Sequence, residues 1–189
     1  MRFFRQLLQT VFVKSRIFKY RVLSDLKPEG HLLRYIAPVL FSGKGKVVLG
    51  HSVKLGYAQS PLYYSHYNYI EARVKTAKIN IGNNVIINNN CCIVALDRIE
   101  IGDHCTIGIN FSALDSDFHY LDPNKRHEKN PPAKPIKIGE NVFVGNHVTV
   151  LKGVVIGNNV VVGSNSLVSK SVPDNVVIGG NPAQIIKTL

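Results

Sequence analysis

Histidine supplies the side chains best suited to moving protons near neutral pH, because the unperturbed imidazole pKa is about 6.5. The chain contains seven histidines. Three of them fall where regular repeats must turn: His51, His104 and His147. His119 instead lies in a long stretch without repeats, and His127 follows it in the same stretch. We take His119 as the candidate general base and His127 as the fallback, against the alternative of surface loop residues.

Acidic side chains flank His119 in the sequence: Asp115, Asp117 and Asp122. A neighbouring carboxylate can orient an imidazole ring, and the same groups could bind an acceptor. A solvated loop acid is an equally good interpretation of each. A second irregular segment, residues 60–72, contains Tyr64 and His66. Polar-tipped aromatic residues suit a sugar-binding wall, whereas tyrosines on the outer face of a wide coil are the alternative.

These residues interrupt a six-residue repeat. Six aliphatic residues stand six apart near the C-terminus: Ile138, Val144, Val150, Ile156, Val162 and Val168. This period is neither that of an α-helix nor that of an ordinary strand. It is typical of a parallel β-helix, in which each unit forms one side of a triangular coil. Gly and Asn between the units suit the turns because they accept positive φ.

The repeat predicts one domain in a chain of 189 residues. The fold class is all-β. We assign residues 1–46 to an N-terminal helical or irregular segment and residues 47–189 to the parallel β-helix. The repeat stops over residues 108–137, which predicts one long loop extruded from the prism. A long loop in a rigid repeat array is usually functional. Residues 173–189 form a C-terminal tail.

The first 27 residues predict a basic amphipathic helix. Apolar residues recur there at intervals of four, as Phe3/Phe4, Leu7/Leu8 and Val11/Phe12. Such a helix can pack its apolar stripe on the prism or lie on an anionic membrane surface, and a disordered arm is the third possibility. No apolar run is long enough to span a membrane, and no secretory signal is predicted.

Positive charge dominates the composition, with 23 Lys and Arg against 12 Asp and Glu and a formal net charge of +11. Such a field attracts polyanions, including acidic lipid and phosphorylated cofactors. No nucleic-acid-binding signature is present, so no nucleic acid is expected as a partner. Cys91 and Cys105 fall in small inward slots of the repeat, which indicates core packing. With Cys92 they argue against a disulfide scaffold, so a reducing cytoplasm is expected.

Three segments carry a resemblance to a known family: Lys134–Gly139, Val168–Pro173 and Gly179–Lys187. With the repeat, they make the chain similar to hexapeptide-repeat acetyltransferases of the maltose, galactoside and nodulation type. The resemblance implies a left-handed parallel β-helix. It also implies a homotrimer with sites between subunits and acetyl-CoA as the co-substrate.

The resemblance also implies roles for individual residues. The setting of His119, residues 117–122, is similar to the loop that carries the catalytic histidine, and Asn90 matches an asparagine that helps to hold the acceptor. Because Asn88 to Asn90 are consecutive, that match is good to about a residue. The matching cofactor positions are Phe143, Gly145, Asn146, Gly163, Ser164, Lys170 and Lys187. Phe143 stands where many members carry Trp, and Gln184 stands where a basic residue is common.

The expected function is acetyl transfer from acetyl-CoA to a sugar hydroxyl, in cell-surface polysaccharide or lipopolysaccharide biosynthesis. N-acetylation of a nucleotide-linked amino sugar, acetylation of an antibiotic and a non-catalytic scaffold are the alternatives. No metal is expected, because no two histidines stand five residues apart as in the zinc enzyme that shares this prism. The expected location is the cytoplasm, with the inner face of the membrane as an open alternative.

Overall fold

The computed structural model describes residues 2–30 and 34–189. It begins with helix α1 (Arg2–Gln9), a π-helical turn (Thr10–Lys14) and helix α2 (Ser15–Leu23). Twenty strands follow in three sheets, which we call A, B and C.

Each sheet collects every third strand of the main array. Sheet A contains β1 (Glu29–Gly30), β4 (Lys46–Leu49), β7 (Lys78–Ile81), β10 (Arg98–Ile101), β13 (Ile136–Ile138) and β16 (Val155–Ile156). Sheet B contains β2 (Arg34–Tyr35), β5 (Lys54–Leu55), β8 (Ile86–Ile87), β11 (Thr106–Ile107), β14 (Phe143–Val144), β17 (Val161–Val162), β19 (Val176–Gly180) and β20 (Ala183–Thr188). Sheet C contains β3 (Val39–Gly43), β6 (Asn68–Ala72), β9 (Cys92–Ala95), β12 (Ser112–Leu114), β15 (Thr149–Leu151) and β18 (Leu167–Val168).

The chain therefore winds as a parallel β-helix, visiting A, B and C in turn. Equivalent residues stack coil upon coil, as Ile79, Ile99 and Ile136 do in sheet A. All three side chains are fully buried, and Cys91 and Cys105 are buried as predicted. The three parallel faces fit the left-handed β-helix that the family resemblance implies.

The turns between faces form three edges, A–B, B–C and C–A. At the B–C edge, four successive coils turn in four residues each: 88–91, 108–111, 145–148 and 163–166. Each turn contains one residue with positive φ, namely Asn90, Asn110, His147 and Asn165. Gly108 is required there because a Cβ would lie 2.6 Å from the carbonyl oxygen of Gly145.

Two boundaries differ from the sequence prediction. Strand pairing starts at Glu29, before the expected start at residue 47, because β1 and β2 have only two residues each and show no repeat. Strand β12 continues sheet C, so the extruded loop spans residues 115–135 and not 108–137. Within the tail, β19 extends sheet B in parallel and β20 folds back antiparallel on it.

The N-terminal helices pack on the prism through one side. Val13 is buried in a cluster with Ala37 and Tyr63, and Tyr20 stacks on Tyr67 with ring centroids 4.4 Å apart. Other apolar side chains of these helices are exposed: Phe4, Leu7, Val11, Phe12, Phe18 and Val22. The side chain of Phe3, part of the predicted stripe, is outside the described residues. Neither helix is long and apolar enough to cross a bilayer.

Candidate active site

The long loop leaves and re-enters the prism at the C–A edge. Its two ends are joined by an antiparallel bridge between Ser116 and Ala133. The amide of Lys134 donates to the carbonyl of Asp115 at 2.8 Å, and the Ser116 hydroxyl donates to the carbonyl of Pro132 at 3.0 Å. These contacts fix the base of the loop.

Two further contacts hold the segment before His119 against this edge. Asp117 forms an ion pair with Lys152, which directly follows β15. The Phe118 ring lies under the guanidinium of Arg73, 4.2 Å from its centroid, and Arg73 directly follows β6. Both partners therefore stand at the ends of sheet C strands, so the loop lies along the C–A edge.

Arg73 is itself fixed by two sheet C residues. Its Nε and Nη2 donate to the two carboxylate oxygens of Glu71 at 3.0 and 2.9 Å. Tyr69 donates its hydroxyl to the same carboxylate at 3.0 Å. Glu71 is only 8% exposed. The hydrogen bonds to Glu71 raise the pKa of Arg73, and burial raises the pKa of Tyr69.

His119 is exposed, and one of its ring nitrogens is engaged. Nδ1 lies 3.2 Å from the backbone carbonyl of Arg126. Because a carbonyl oxygen only accepts, Nδ1 must donate in this contact. In the neutral ring, Nε2 then carries the lone pair and faces away from that bond. This is the tautomer that a general base acting through Nε2 requires.

The three flanking acids are engaged elsewhere. Asp117 pairs with Lys152, and Asp122 accepts from the amide of Asn124 at 2.9 Å. The buried Asp115 accepts from the amides of Leu96 and Asp97 at 2.8 and 2.7 Å, and burial raises its pKa. The ring contact of His119 therefore goes to a backbone carbonyl. No pattern in the sequence indicates that contact.

Asn90 lies at the B–C edge, across sheet C from the loop. Its φ is 63°, and its Nδ2 donates to Oδ1 of Asn110 at 2.6 Å. Asn110 in turn lies 3.2 Å from the His147 ring. The two preceding asparagines hold a neighbouring segment, since Asn88 donates to Ser60 at 2.8 Å and Asn89 donates to the carbonyl of Pro61 at 2.8 Å.

Most of the predicted cofactor positions share sheet B or the B–C edge with Asn90. Phe143 points outward from β14 and is 52% exposed. Gly145, Asn146, Gly163 and Ser164 lie in two stacked turns, joined by the amide of Asn146 donating to the Ser164 hydroxyl at 3.0 Å. Two predicted cations lie apart from these turns: Lys187, on β20 beside Val177, and Lys170, after β18 at the C–A edge.

The predicted substrate residues Tyr64 and His66 belong to a B–C turn, residues 56–67. Both are exposed. The Tyr64 ring packs edge-on against Tyr63, with centroids 5.0 Å apart, and the carbonyl of His66 accepts from Arg16 at 2.8 Å. This turn therefore packs against the N-terminal helices, away from the loop that carries His119.

One chain thus separates its candidate groups. His119, Asp117 and Asp122 belong to the C–A loop, whereas Asn90, Tyr64 and the stacked glycine turns belong to the B–C edge. The structure brings Asn90 together with the cofactor positions but not with His119. Within the described residues, no group of three or more His, Cys, Asp or Glu side chains could hold a metal ion.

Comparisons with known proteins show what the chain is similar to. The family described as bacterial transferase hexapeptide (six repeats) matches residues 135–170. Protein CapG of Staphylococcus aureus is 38% identical over 133 residues, which cover 65% of this chain and 73% of CapG. Galactoside O-acetyltransferase of Escherichia coli (strain K12) is 34% identical over 133 residues, covering 70% of this chain and 61% of that protein.

A solved structure shares the fold over most of the chain. A galactoside acetyltransferase in complex with coenzyme A has a TM-score of 0.59 and 26% identity, covering 93% of this chain and 78% of that chain. This chain therefore shares the fold of the greater part of an acetyltransferase that was solved in complex with coenzyme A.

Proposed function

The chain belongs to the hexapeptide-repeat acetyltransferases, and on that premise we propose that it transfers an acetyl group from acetyl-CoA to a sugar hydroxyl. We place this reaction in cell-surface polysaccharide or lipopolysaccharide biosynthesis. The observation that carries the proposal is the His119 ring, whose Nδ1 is held by the Arg126 carbonyl while Nε2 remains available.

In the proposed reaction, Nε2 of His119 takes the proton of the acceptor hydroxyl as the oxygen attacks the thioester carbonyl. The Arg126 carbonyl keeps the imidazole in the productive tautomer, and it still accepts the Nδ1–H hydrogen bond when the imidazolium forms. The C–S bond then breaks, and the proton leaves with the thiol of CoA. Thioesters are already activated, so no acyl-enzyme is needed. General-base catalysis of this kind contributes roughly 10²–10⁴-fold.

Acetyl-CoA fits the B–C edge by its chemistry. The exposed Phe143 ring offers an apolar wall on sheet B. The stacked turns at Gly145 and Gly163 present backbone close to the surface, because neither residue has a side chain. Lys187, on sheet B, supplies a cation for the phosphates as a point charge, and Lys170, at the C–A edge, would supply one from a neighbouring copy.

We infer that the active site forms between copies of the chain in a homotrimer, with the coil left-handed. His119 and Asn90 stand on opposite edges of sheet C, so the C–A loop of one copy can reach the B–C edge of the next. The acceptor would then lie between the loop and the edge of the neighbouring copy, held by Asn90, Asp117 or Asp122.

N-acetylation of a nucleotide-linked amino sugar is the second candidate. It would use the same base, and the net charge of +11 suits a diphosphate. A non-catalytic scaffold is the third, but a scaffold has no need for an oriented loop imidazole.

We also propose a cytoplasmic location with peripheral membrane contact through residues 1–27. One side of the helices packs on the prism, while Phe12, Phe18 and Val22 remain exposed. The exposed Lys14 and Lys19 lie among them in the sequence and suit an anionic lipid surface.

Calorimetric titration with CoA tests the proposal first. We expect micromolar binding near one site per chain and a trimer by sedimentation, followed by thiol release from acetyl-CoA with a sugar hydroxyl acceptor. Thiol release with amino sugars alone would favour N-acetylation. Absence of CoA binding in a folded trimer would favour the scaffold.

A further inference from the structure

Three cations stack in a row on the outer face of sheet A, next to the C–A edge. Lys46, Lys78 and Arg98 are register partners in β4, β7 and β10, and all three are exposed. Neighbouring strands lie about 4.8 Å apart. Like charges directly opposite one another destabilise a sheet, so this row opposes folding unless something else neutralises it.

The chain neutralises the row only at its ends. Lys46 pairs with Glu29 at 2.9 Å, and Arg98 lies 3.8 Å from Glu100. Lys78, between them, has no acidic partner within residues 2–30 and 34–189. The centre of the row is therefore open to an external anion.

The row leads to the loop that carries His119. Ile99 pairs with Ile136, so the next position of the row falls at Pro135, where the loop returns to the prism. The neighbouring Lys134 lies against Gly153, with its Cβ 3.3 Å from where a Gly153 Cβ would stand. Lys152, next to Gly153, pairs with Asp117 in that loop. Lys134 thus extends the positive charge of sheet A to the end of the loop, whereas the charge of Lys152 is neutralised by Asp117.

We propose that this row binds an anionic saccharide, one carrying carboxylate or phosphate groups, and guides its acceptor hydroxyl to His119. The inference rests on the proposed function, because a saccharide is the acceptor which that reaction takes. The row contains no aromatic side chain on which nucleic-acid bases could stack. Lys78 offers its charge to such an anionic group, with Lys46 and Arg98 on either side of it in the row.

Binding of polygalacturonate, with neutral dextran as the comparison polymer, tests this surface on the full-length protein. We expect polygalacturonate to bind, dextran not to bind, and the affinity to fall as salt is raised from about 50 to 200 mM. Lys78→Glu should weaken binding roughly tenfold, since each cation near an anionic surface contributes measurably. Lys54→Glu, the same charge change on sheet B, should alter it less than about twofold.

The proposal is overturned if polygalacturonate does not bind, or if both substitutions weaken binding equally, which would reflect net charge alone. A DNA duplex or phosphatidylserine vesicles that bind more tightly than polygalacturonate, with the same dependence on Lys78, would also overturn it. CoA is titrated in parallel on each variant. If CoA binds and polygalacturonate does not, the row is not a saccharide site but the proposed function stands. If polygalacturonate binds and CoA does not, the row remains a saccharide site without the proposed function.

Discussion

The chain turns between sheets in different ways at the two edges of sheet C. At the B–C edge, four successive turns have equal length and stack residue on residue, with Asn90, Asn110 and His147 in one ladder. At the C–A edge the turns vary from two residues, at 96–97, to twenty-one, at 115–135. The repeat itself determines the B–C edge, whereas individual contacts such as Arg73–Phe118 determine the C–A edge. A rigid repeat can thus present a fixed binding surface on one side and a specific reactive group on the other.

The largest expected effect is at the C–A edge. His119→Ala should lose roughly 10²–10⁴-fold in turnover while folding and assembling normally, because the ring is exposed and contributes one contact, to the Arg126 carbonyl, besides the proposed proton transfer. Acetyl-CoA-dependent thiol release measures the loss, with sedimentation as the check on assembly. His127→Ala is the matched loop variant and should retain activity. If His127→Ala lost more turnover than His119→Ala, His127 would be the general base.

The stability of the two edges can be compared with one glycine at each. A Cβ at Gly108 would meet the Asn146 side chain and the Gly145 carbonyl at 2.5 and 2.6 Å, so Gly108→Ala should destabilise by about 1–3 kcal/mol. At Gly153 the neighbour is the flexible Lys134 side chain, and only the φ of +77° opposes a substitution. Gly153→Ala should cost about 1 kcal/mol. Urea unfolding would contradict the comparison if Gly153→Ala were the more harmful.

A smaller effect is expected at the B–C edge for catalysis. Asn90→Ala should lower turnover about tenfold, as for one lost hydrogen bond to the acceptor. Asn88→Ala decides which asparagine is involved, since its side chain holds Ser60 instead. A larger loss in turnover for Asn88→Ala, at unchanged stability, would assign the acceptor contact to Asn88. Steady-state kinetics in acetyl-CoA and in the acceptor distinguish the two.

A contact that only positions the loop should matter less. Phe118→Leu removes the ring beneath Arg73 but keeps an apolar side chain, and cation–π contacts at exposed sites contribute about 0.5–1 kcal/mol. Turnover should fall roughly two- to fivefold with little change in the unfolding midpoint. Leu121→Ala, at an exposed position in the same loop, serves as the control. Equal losses in the two variants would show that the Arg73 contact is unimportant.

The smallest effect is a pH dependence of stability at Asp115. Burial raises the pKa of this carboxyl, so the folded chain holds the proton more tightly than the unfolded chain, whose pKa is about 3.9. The stability from this group is present below that value and is lost as pH rises through the folded-state pKa. Relative to Asp115→Asn, the wild type should therefore lose stability as pH rises from about 3 to 7.

Asp103 should give a pH dependence of stability with the opposite sign. Hydrogen bonds from Asn83 lower its pKa, so its contribution is present above the unfolded value and is lost as pH falls. In thermal unfolding across the same pH range, the wild type should therefore gain stability relative to Asp103→Asn as pH rises. A wild type that gains stability over Asp115→Asn with rising pH would mean that the amide hydrogen bonds of Leu96 and Asp97 outweigh burial.

The sequence predicted the regular part of the molecule because the repeat is itself a local signal. Ile138, Val144 and Val150 each mark the buried position of one face. The loop that contains His119 is visible in the sequence because the six-residue repeat stops there. The start of the prism at Glu29 was missed because two-residue strands contain no period. The support of His119 was missed because its partner is a carbonyl of Arg126, which any residue could supply. Contacts that cross the C–A edge depend on the stacking of coils distant in sequence, so local patterns do not predict them.

Different contacts cover the outer strand of one sheet at each end of the coil. At the N-terminal end, the Ser24 hydroxyl and the Asp25 carboxylate accept from the amides of Phe41 and Gly43 in β3, at 3.0 and 3.1 Å. At the other end, β20 covers β19 antiparallel, so a further parallel strand cannot add to sheet B. A stack of identical coils has no intrinsic length and could otherwise grow end to end as a fibre. These contacts cover the outer edge of sheet C at one end and of sheet B at the other, which disfavours end-to-end growth of the prism at those two edges.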